Sequence, residues 1–219
     1  MFPIKVTQPS YSRPFVTVAL ILVNLAVFLN QLSLDPYSLH HYVLEYGLRA
    51  NPHYFHAANI FTAMFVHAGW LHVGGNMLFL WVFGDNVEDI LGHAKFLLFY
   101  LLCGVAAAIA QIAADPLSTV PMIGASGAIA GVMGAYLVKF PRSRVNMLFF
   151  FFFIFRFEVA AWFMLAYWFA IQLVGGFGSA ESQGGTAFFA HVGGFIAGIA
   201  LVHLLGTRQR WSSHRDLSW

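Results

Sequence analysis

The chain has 219 residues, of which 59% are hydrophobic and only 9% charged, and its mean hydropathy is +0.72. Soluble domains carry roughly a quarter charged residues, so this composition cannot cover a water-facing surface and points to the lipid bilayer as solvent. A net charge of +2 is too small to imply a nucleic-acid partner, and a lone cysteine, Cys103, excludes an intrachain disulfide.

A bilayer-crossing helix needs about 20 mostly apolar residues. The first thirteen residues are polar, with Lys5 and Arg13, and the apolar run that follows has no small-residue cleavage site after it, so it reads as a retained span. Six spans are predicted, over Pro14–Leu32, Trp70–Val87, Lys95–Ala114, Gly124–Lys139, Val159–Val174 and Phe188–Leu205. The fourth is short and rich in glycine. Between the first two lies the one long polar connection, Ser33–Ala58, which has the length to carry structure of its own. The run Met147–Phe155 is apolar, but nine helical residues rise only about 14 Å. Arg156 and Glu158 then interrupt it, and charges near a bilayer centre are expensive. It is predicted to be an interfacial segment leading into the fifth span; the alternative is one long tilted helix over Val145–Val174.

The expected fold is therefore an all-α polytopic membrane protein with six transmembrane helices in a single domain, 1–219, its core about 14–205 and its tail 206–219. Six spans put Lys5, Arg13, Lys95, Lys139, Arg142, Arg144, Arg208, Arg210 and Arg215 on one side and Arg49 on the other, with Arg156 unassigned. Short loops rich in Lys and Arg face the cytoplasm, so both termini are expected there.

Polar residues inside spans are functional candidates. The second span opens with HAGWLHVGGN, carrying His67, His72 and Asn76; the fourth opens with GASG, Gly124-Ala125-Ser126-Gly127; the sixth opens with AHVGG, carrying His191. Taken singly, each has a plainer reading. Ser126 and the GxxxG pairs Gly127/Gly131 and Gly194/Gly198 let helices approach closely, and a single His or Asn serves as interhelical glue. Together they say more, because three even-numbered spans all start on the outer side, which allows one outward-opening pocket. A serine needs a base within hydrogen-bond reach, and histidine is suited to that role. Ser126 would be the nucleophile and His191 its general base. His72 and Asn76, four apart on one helix face, would donate to the oxyanion, as would backbone N–H groups of the GASG turn at the helix start. No carboxylate completes a triad, so a Ser–His dyad is predicted, with another group orienting the imidazole.

These motifs, G-x-S-G at a helix start, H-x-x-x-N on an earlier helix and H-x-x-G-x-x-x-G on a later one, resemble those of the rhomboid intramembrane proteases over about Phe61 to Leu205. The resemblance implies Ser126 and His191 as catalytic residues and His72, Asn76 and the Ser126 N–H as oxyanion stabilisers. It also implies a structural role for Glu88, a partly embedded first loop, lateral access for substrate near the fifth helix, and transmembrane-helix substrates. Two positions depart from the family pattern: Ala58 and Asn59 stand where many members have Trp-Arg, and Ala130 where some have a tyrosine stacking on the catalytic histidine. His67 is expected to support His72. The histidines His40, His41, His53 and His56 form no closed ligand pattern, so neither metal nor cofactor is expected. A bacterial inner membrane is the expected location, with the site opening away from the cytoplasm. The alternative reading is a catalytically inactive relative that binds membrane proteins without cutting them.

Overall fold

The computed structural model describes residues 2–150, 154–178 and 187–206. Helices dominate: α1 (Phe15–Leu32), α2 (Pro36–Tyr46), the short α3 (Asn59–Thr62), α4 (Trp70–Leu91), α5 (His93–Ala114), α6 (Ser126–Lys139), α7 (Ala161–Gly178) and α8 (Phe188–Leu204). Three strands, β1 (Phe2–Val6), β2 (Arg144–Phe150) and β3 (Ile154–Ala160), form one antiparallel sheet in the order β1-β2-β3. A helix lies at each of the six predicted spans. By length and hydropathy α1 and α5 are able to cross a membrane, with mean hydropathies of 2.1 and 2.2; α6, α8 and residues 161–174 of α7 are apolar but shorter.

Helix α1 shows which solvent the fold is built for. Its buried positions, Thr17, Leu20, Asn24, Phe28 and Gln31, recur every three or four residues on one face. Three of the five are polar, whereas the exposed face carries Val18, Leu22, Val23, Leu29 and Leu32. A water-soluble helix has the opposite arrangement. Polar groups that turn inward find partners: Asn24 Nδ2 donates to the Leu20 carbonyl, and Gln31 clamps the His67 backbone with two hydrogen bonds of 3.0 Å.

The start of α1 is capped from another helix. Pro14 offers no side-chain cap. The fully buried Glu88 carboxylate of α4 instead accepts from the Val16 N–H (2.8 Å), the Thr17 N–H (2.7 Å) and the Thr17 hydroxyl (2.7 Å). These are orphan donors at the positive end of a helix dipole. His93 Nδ1, at the start of α5, lies 2.6 Å from the same carboxylate. Asp89 takes the Tyr11 N–H and the Ser12 hydroxyl. Glu88, given a structural role by the family resemblance, thus ties the first, fourth and fifth helices together. Gly92, at φ 79°, turns α4 into α5 in one residue.

The long polar connection folds as α2. Asp35 caps it by accepting from the Tyr37 and Ser38 N–H groups, and Pro36 occupies the first turn. The Ser38 hydroxyl and N–H hold the Asp35 carboxyl below its ordinary range. No residue of α2 is buried, so its position depends on tethers at its end. Asn59 Nδ2 donates to the Glu45 and Gly47 carbonyls (2.9 Å each), and Thr62 Oγ1 to the Tyr46 carbonyl (2.7 Å). Asn59, at one of the two family departures, therefore joins Thr62 in holding the end of this helix.

The chain is mostly helical as expected, but a small sheet is added to the helices, and the alternative of one tilted helix over Val145–Val174 is overturned: the stretch around Met147–Phe155 is extended. It belongs to the β2–β3 hairpin, with residues 151–153 outside the described set. Its Phe, Ile and Val side chains favour extended backbone. The period also fits a strand, since Val145 and Met147 are buried while Arg144 is exposed. A distant partner extends the hairpin into a sheet: β1, read from sequence as a polar tail, pairs Phe2 with Leu148 and Val6 with Val145.

Replacing Glu88 with Ala leaves three donors of α1 without acceptors. Chemical unfolding in detergent is expected to show a loss of about 3 kcal/mol, since each unsatisfied buried group costs about 1–3 kcal/mol.

Candidate active site

Ser126 is the first residue of α6 and His191 lies in the first turn of α8. Both positions depend on how closely these two helices pack. A Cβ on Gly194 would fall 2.0 Å from the Gly127 carbonyl oxygen, and one on Gly198 1.9 Å from that of Gly131. One on Gly134 would meet the Phe195 carbonyl at 2.2 Å. The two GxxxG pairs seen in the sequence therefore face each other, backbone against backbone. The same small residues that let the helices approach also bring Ser126 to His191.

At the end of this contact Ser126 Oγ lies 2.7 Å from His191 Nε2. His191 is 7% exposed. Its other nitrogen, Nδ1, lies 2.7 Å from Gln172 Oε1 of α7. An amide oxygen only accepts, so Nδ1 carries the proton and donates. In the neutral ring Nε2 is then the unprotonated nitrogen and accepts the hydrogen bond of the Ser126 hydroxyl. The Trp168 ring of α7 packs at a tilt on the imidazole, 5.6 Å between centroids. Ala130, where a stacking tyrosine was looked for, is buried and small, and the aromatic wall comes from α7 instead. The α8 start is steadied by Gln111 of α5, whose Oε1 accepts the Ala190 N–H at 3.2 Å.

Helix α4 brings two further polar groups to the same place. Gly124 sits at φ +113°, a left-handed conformation open to glycine, and its N–H donates to the Ala63 carbonyl. A Cβ built there would fall 2.6 Å from His72 Nε2 and 3.5 Å from Asn76 Nδ2. Both side chains thus converge beside the turn that precedes Ser126. His72 Nδ1 accepts the Ala68 N–H at 3.3 Å, which leaves Nε2 as the protonated, donating nitrogen. Asn76 is 8% exposed, and among the described residues its buried Nδ2 has no partner. A buried amide donor left unpaired is costly, and here it is aimed at the serine turn.

Of the other residues singled out by sequence, Ala125 is buried and serves as the residue before α6, and Gly127 is part of the α6–α8 contact. His67 lies edge-on to His72, 5.0 Å between ring centroids, and its Nδ1 donates to the Phe65 carbonyl. Its position relative to His72 is held by Gln31. His40 and His41 lie 6.2 Å apart, and among the described residues no group of three or more His, Cys, Asp or Glu side chains is placed to hold a metal ion.

Gln172, Trp168 and Gln111 were not singled out from sequence. A polar signal was available for Gln172, an amide in the otherwise apolar run Ala166–Val174. Nothing in the order of residues says which neighbour such an amide meets.

The arrangement is that of a helical membrane protein with a serine hydroxyl hydrogen-bonded to a buried neutral imidazole beside two convergent side-chain donors. A rhomboid-domain family model matches residues 54–208, and the chain belongs to the rhomboid family of membrane proteins. It is 30% identical over 161 residues to RHOMBOID-like protein 6, mitochondrial, of Arabidopsis thaliana, covering 73% of this chain and 48% of that one. Rhomboid protein 1, mitochondrial, of Saccharomyces cerevisiae is 29% identical over 145 residues, 64% of this chain and 40% of its own length. Rhomboid protease GluP of Bacillus subtilis is 41% identical over 78 residues, 36% of this chain and 15% of that protein. The chain thus spans less than half the length of each of these relatives.

Gly198→Val is the sharpest probe of the helix contact. The added branches meet the Gly131 backbone, which cannot move aside as a side chain would. Thermal and chemical unfolding in detergent are expected to show a loss of about 3 kcal/mol, the upper part of the range for overpacking.

Proposed function

We propose that this protein is an intramembrane serine endopeptidase that cuts peptide bonds in or near transmembrane segments of other membrane proteins, with Ser126 as nucleophile and His191 as general base. The observation that carries this reading is the 2.7 Å contact between Ser126 Oγ and the unprotonated Nε2 of His191. The named rhomboid protease among its relatives adds weight.

The chemistry follows from the donors and acceptors. Ser126 Oγ attacks the scissile carbonyl carbon while its proton passes to His191 Nε2. The oxyanion forms beside the turn at Gly124, where His72 Nε2–H, Asn76 Nδ2–H and the Ser126 backbone N–H can each donate. The C–N bond breaks as Nε2 returns a proton to the departing amine, leaving an acyl group on Oγ. A water then attacks that ester, its proton passing to Nε2 and on to Oγ as serine is released. A narrow cavity beside Ser126, lined by Ala63, Gly104, Ala107, Gly127 and Ala190 among others, suits a small substrate side chain next to the cut bond.

Six spans with both termini in the cytoplasm fit these features best. The N-terminal ends of α4, α6 and α8 share the site, so they lie on one side of the membrane. Arg156, unassigned by sequence, lies on the same sheet as Lys5 and Arg144, which leaves Arg49 as the one cation assigned to the outer side. The single membrane domain would sit in a bacterial inner membrane with its site opening outward, and needs neither metal nor cofactor for this chemistry. The second reading, an inactive binder of membrane proteins, is disfavoured by the serine and histidine both being present and in contact.

Cleavage of a transmembrane reporter in liposomes tests the proposal. Ser126→Ala and His191→Ala are expected to abolish cleavage, and Ser126→Ala also labelling by a fluorophosphonate; cleavage that survives either substitution refutes the dyad. Asn76→Ala is expected to lower kcat by about 100- to 1,000-fold, as loss of one oxyanion donor does elsewhere.

A further inference from the structure

We propose that Gln172 is the positioning residue of the dyad: its side-chain oxygen holds the His191 Nδ1–H and thereby selects the imidazole tautomer whose Nε2 can take the Ser126 proton. This rests on the reading of Ser126 and His191 given above.

A neutral imidazole has one donating and one accepting nitrogen, and the partner of one decides the role of the other. Gln172 Oε1 lies 2.7 Å from Nδ1, and Gln172 and His191 are only 8% and 7% exposed, so water cannot substitute freely for the bond. Without the acceptor, a buried N–H loses its partner and the ring gains by turning or by moving its proton to Nε2. In that second tautomer Nε2–H faces Ser126 as a donor, and the serine has no base.

The groups that contact the His191 ring come from two elements: Ser126 from α6, and Gln172 and Trp168 from α7. Neither of the ion pairs among the described residues involves His191, so no carboxylate there takes this part. A neutral amide suits the place, because an ionised carboxylate beside a neutral ring would be a buried charge without a counter-ion. Trp168 limits the ring from its face, and Gln172 restrains it in its plane.

The test compares wild type, Gln172→Met, Gln172→Glu and Ser126→Ala in liposomes with a transmembrane reporter across pH. Methionine keeps the length and removes the acceptor; kcat is expected to fall about 10- to 100-fold, the scale of a misplaced reacting group, with KM within about twofold. Glutamate restores an acceptor, and kcat is expected to recover. A carboxylate also favours the imidazolium, so the acid limb of kcat/KM, where a protonated His191 is inactive, moves to higher pH. Wild-type kcat in Gln172→Met overturns the proposal. So does an equal loss in both variants with the acid limb unmoved, which marks a packing role only. Selective ¹⁵N-histidine NMR of the wild-type protein decides independently of how the variants fold: protonated Nδ1 at His191 is expected, and protonated Nε2 overturns the assignment. Cleavage by Ser126→Ala sinks the dyad itself, whereas an inactive Ser126→Ala beside a fully active Gln172→Met sinks only the role of Gln172.

Discussion

Helices α6 and α8 touch backbone to backbone, and the site exists because of it. Glycines 134, 194 and 198 leave no room for a single methyl carbon between the two helices, and Gly127 and Gly131 are closed off in the same way by Ala107 and Cys103 of α5. In a bilayer apolar side chains gain little by leaving lipid for protein, so close packing and hydrogen bonding must hold helices together. Glycine permits that closeness. The same closeness brings a short side chain, serine, within 2.7 Å of an imidazole on the neighbouring helix. Larger residues in the interface would widen the gap and separate the serine from the imidazole.

The bundle is organised as two polar ends joined by packed helices. At one end lie Ser126, His191, His72 and Asn76. At the other, Glu88 and Asp89 fasten the start of α1, the Lys95 ammonium donates to the Leu205 carbonyl at the end of α8, and the three-stranded sheet meets α4 and α7. Ala161 N–H donates to the Ser143 carbonyl, and Ser143 Oγ contacts Tyr136 Oη at 2.7 Å, so the base of α7 is anchored where the sheet ends. Polar groups are concentrated where bonds satisfy them, which suits a chain whose helical faces turn apolar side chains outward.

The absence of a carboxylate behind His191, among the described residues, gives the site a neutral character. A serine, an imidazole and amides can be buried without the desolvation cost of fixed ions, and each is given a defined role by its neighbour. Gln172 sets which nitrogen of His191 is protonated, and Ala68 N–H does the same for His72. The outcome is an acceptor facing Ser126 and a donor facing the turn before it.

The sequence by itself determined the solvent, the positions of six apolar segments and the motif residues, because hydropathy and spacing are properties of the chain order. It also indicated which helix ends lie together, since parity of spans follows from counting. What it could not express was partnership across distance. Gln172 reads as one amide in an apolar run until α7 places it against His191. Met147–Phe155 reads as an interfacial segment or part of a tilted helix until it pairs as the β2–β3 hairpin, with β1, about 140 residues earlier, added along its other edge. Asn59 reads as a departure from a pattern until it is found holding the end of α2. Only the tertiary structure decided these, because a hydrogen bond is chosen by which groups meet, and in this fold they meet across helices that sequence separates.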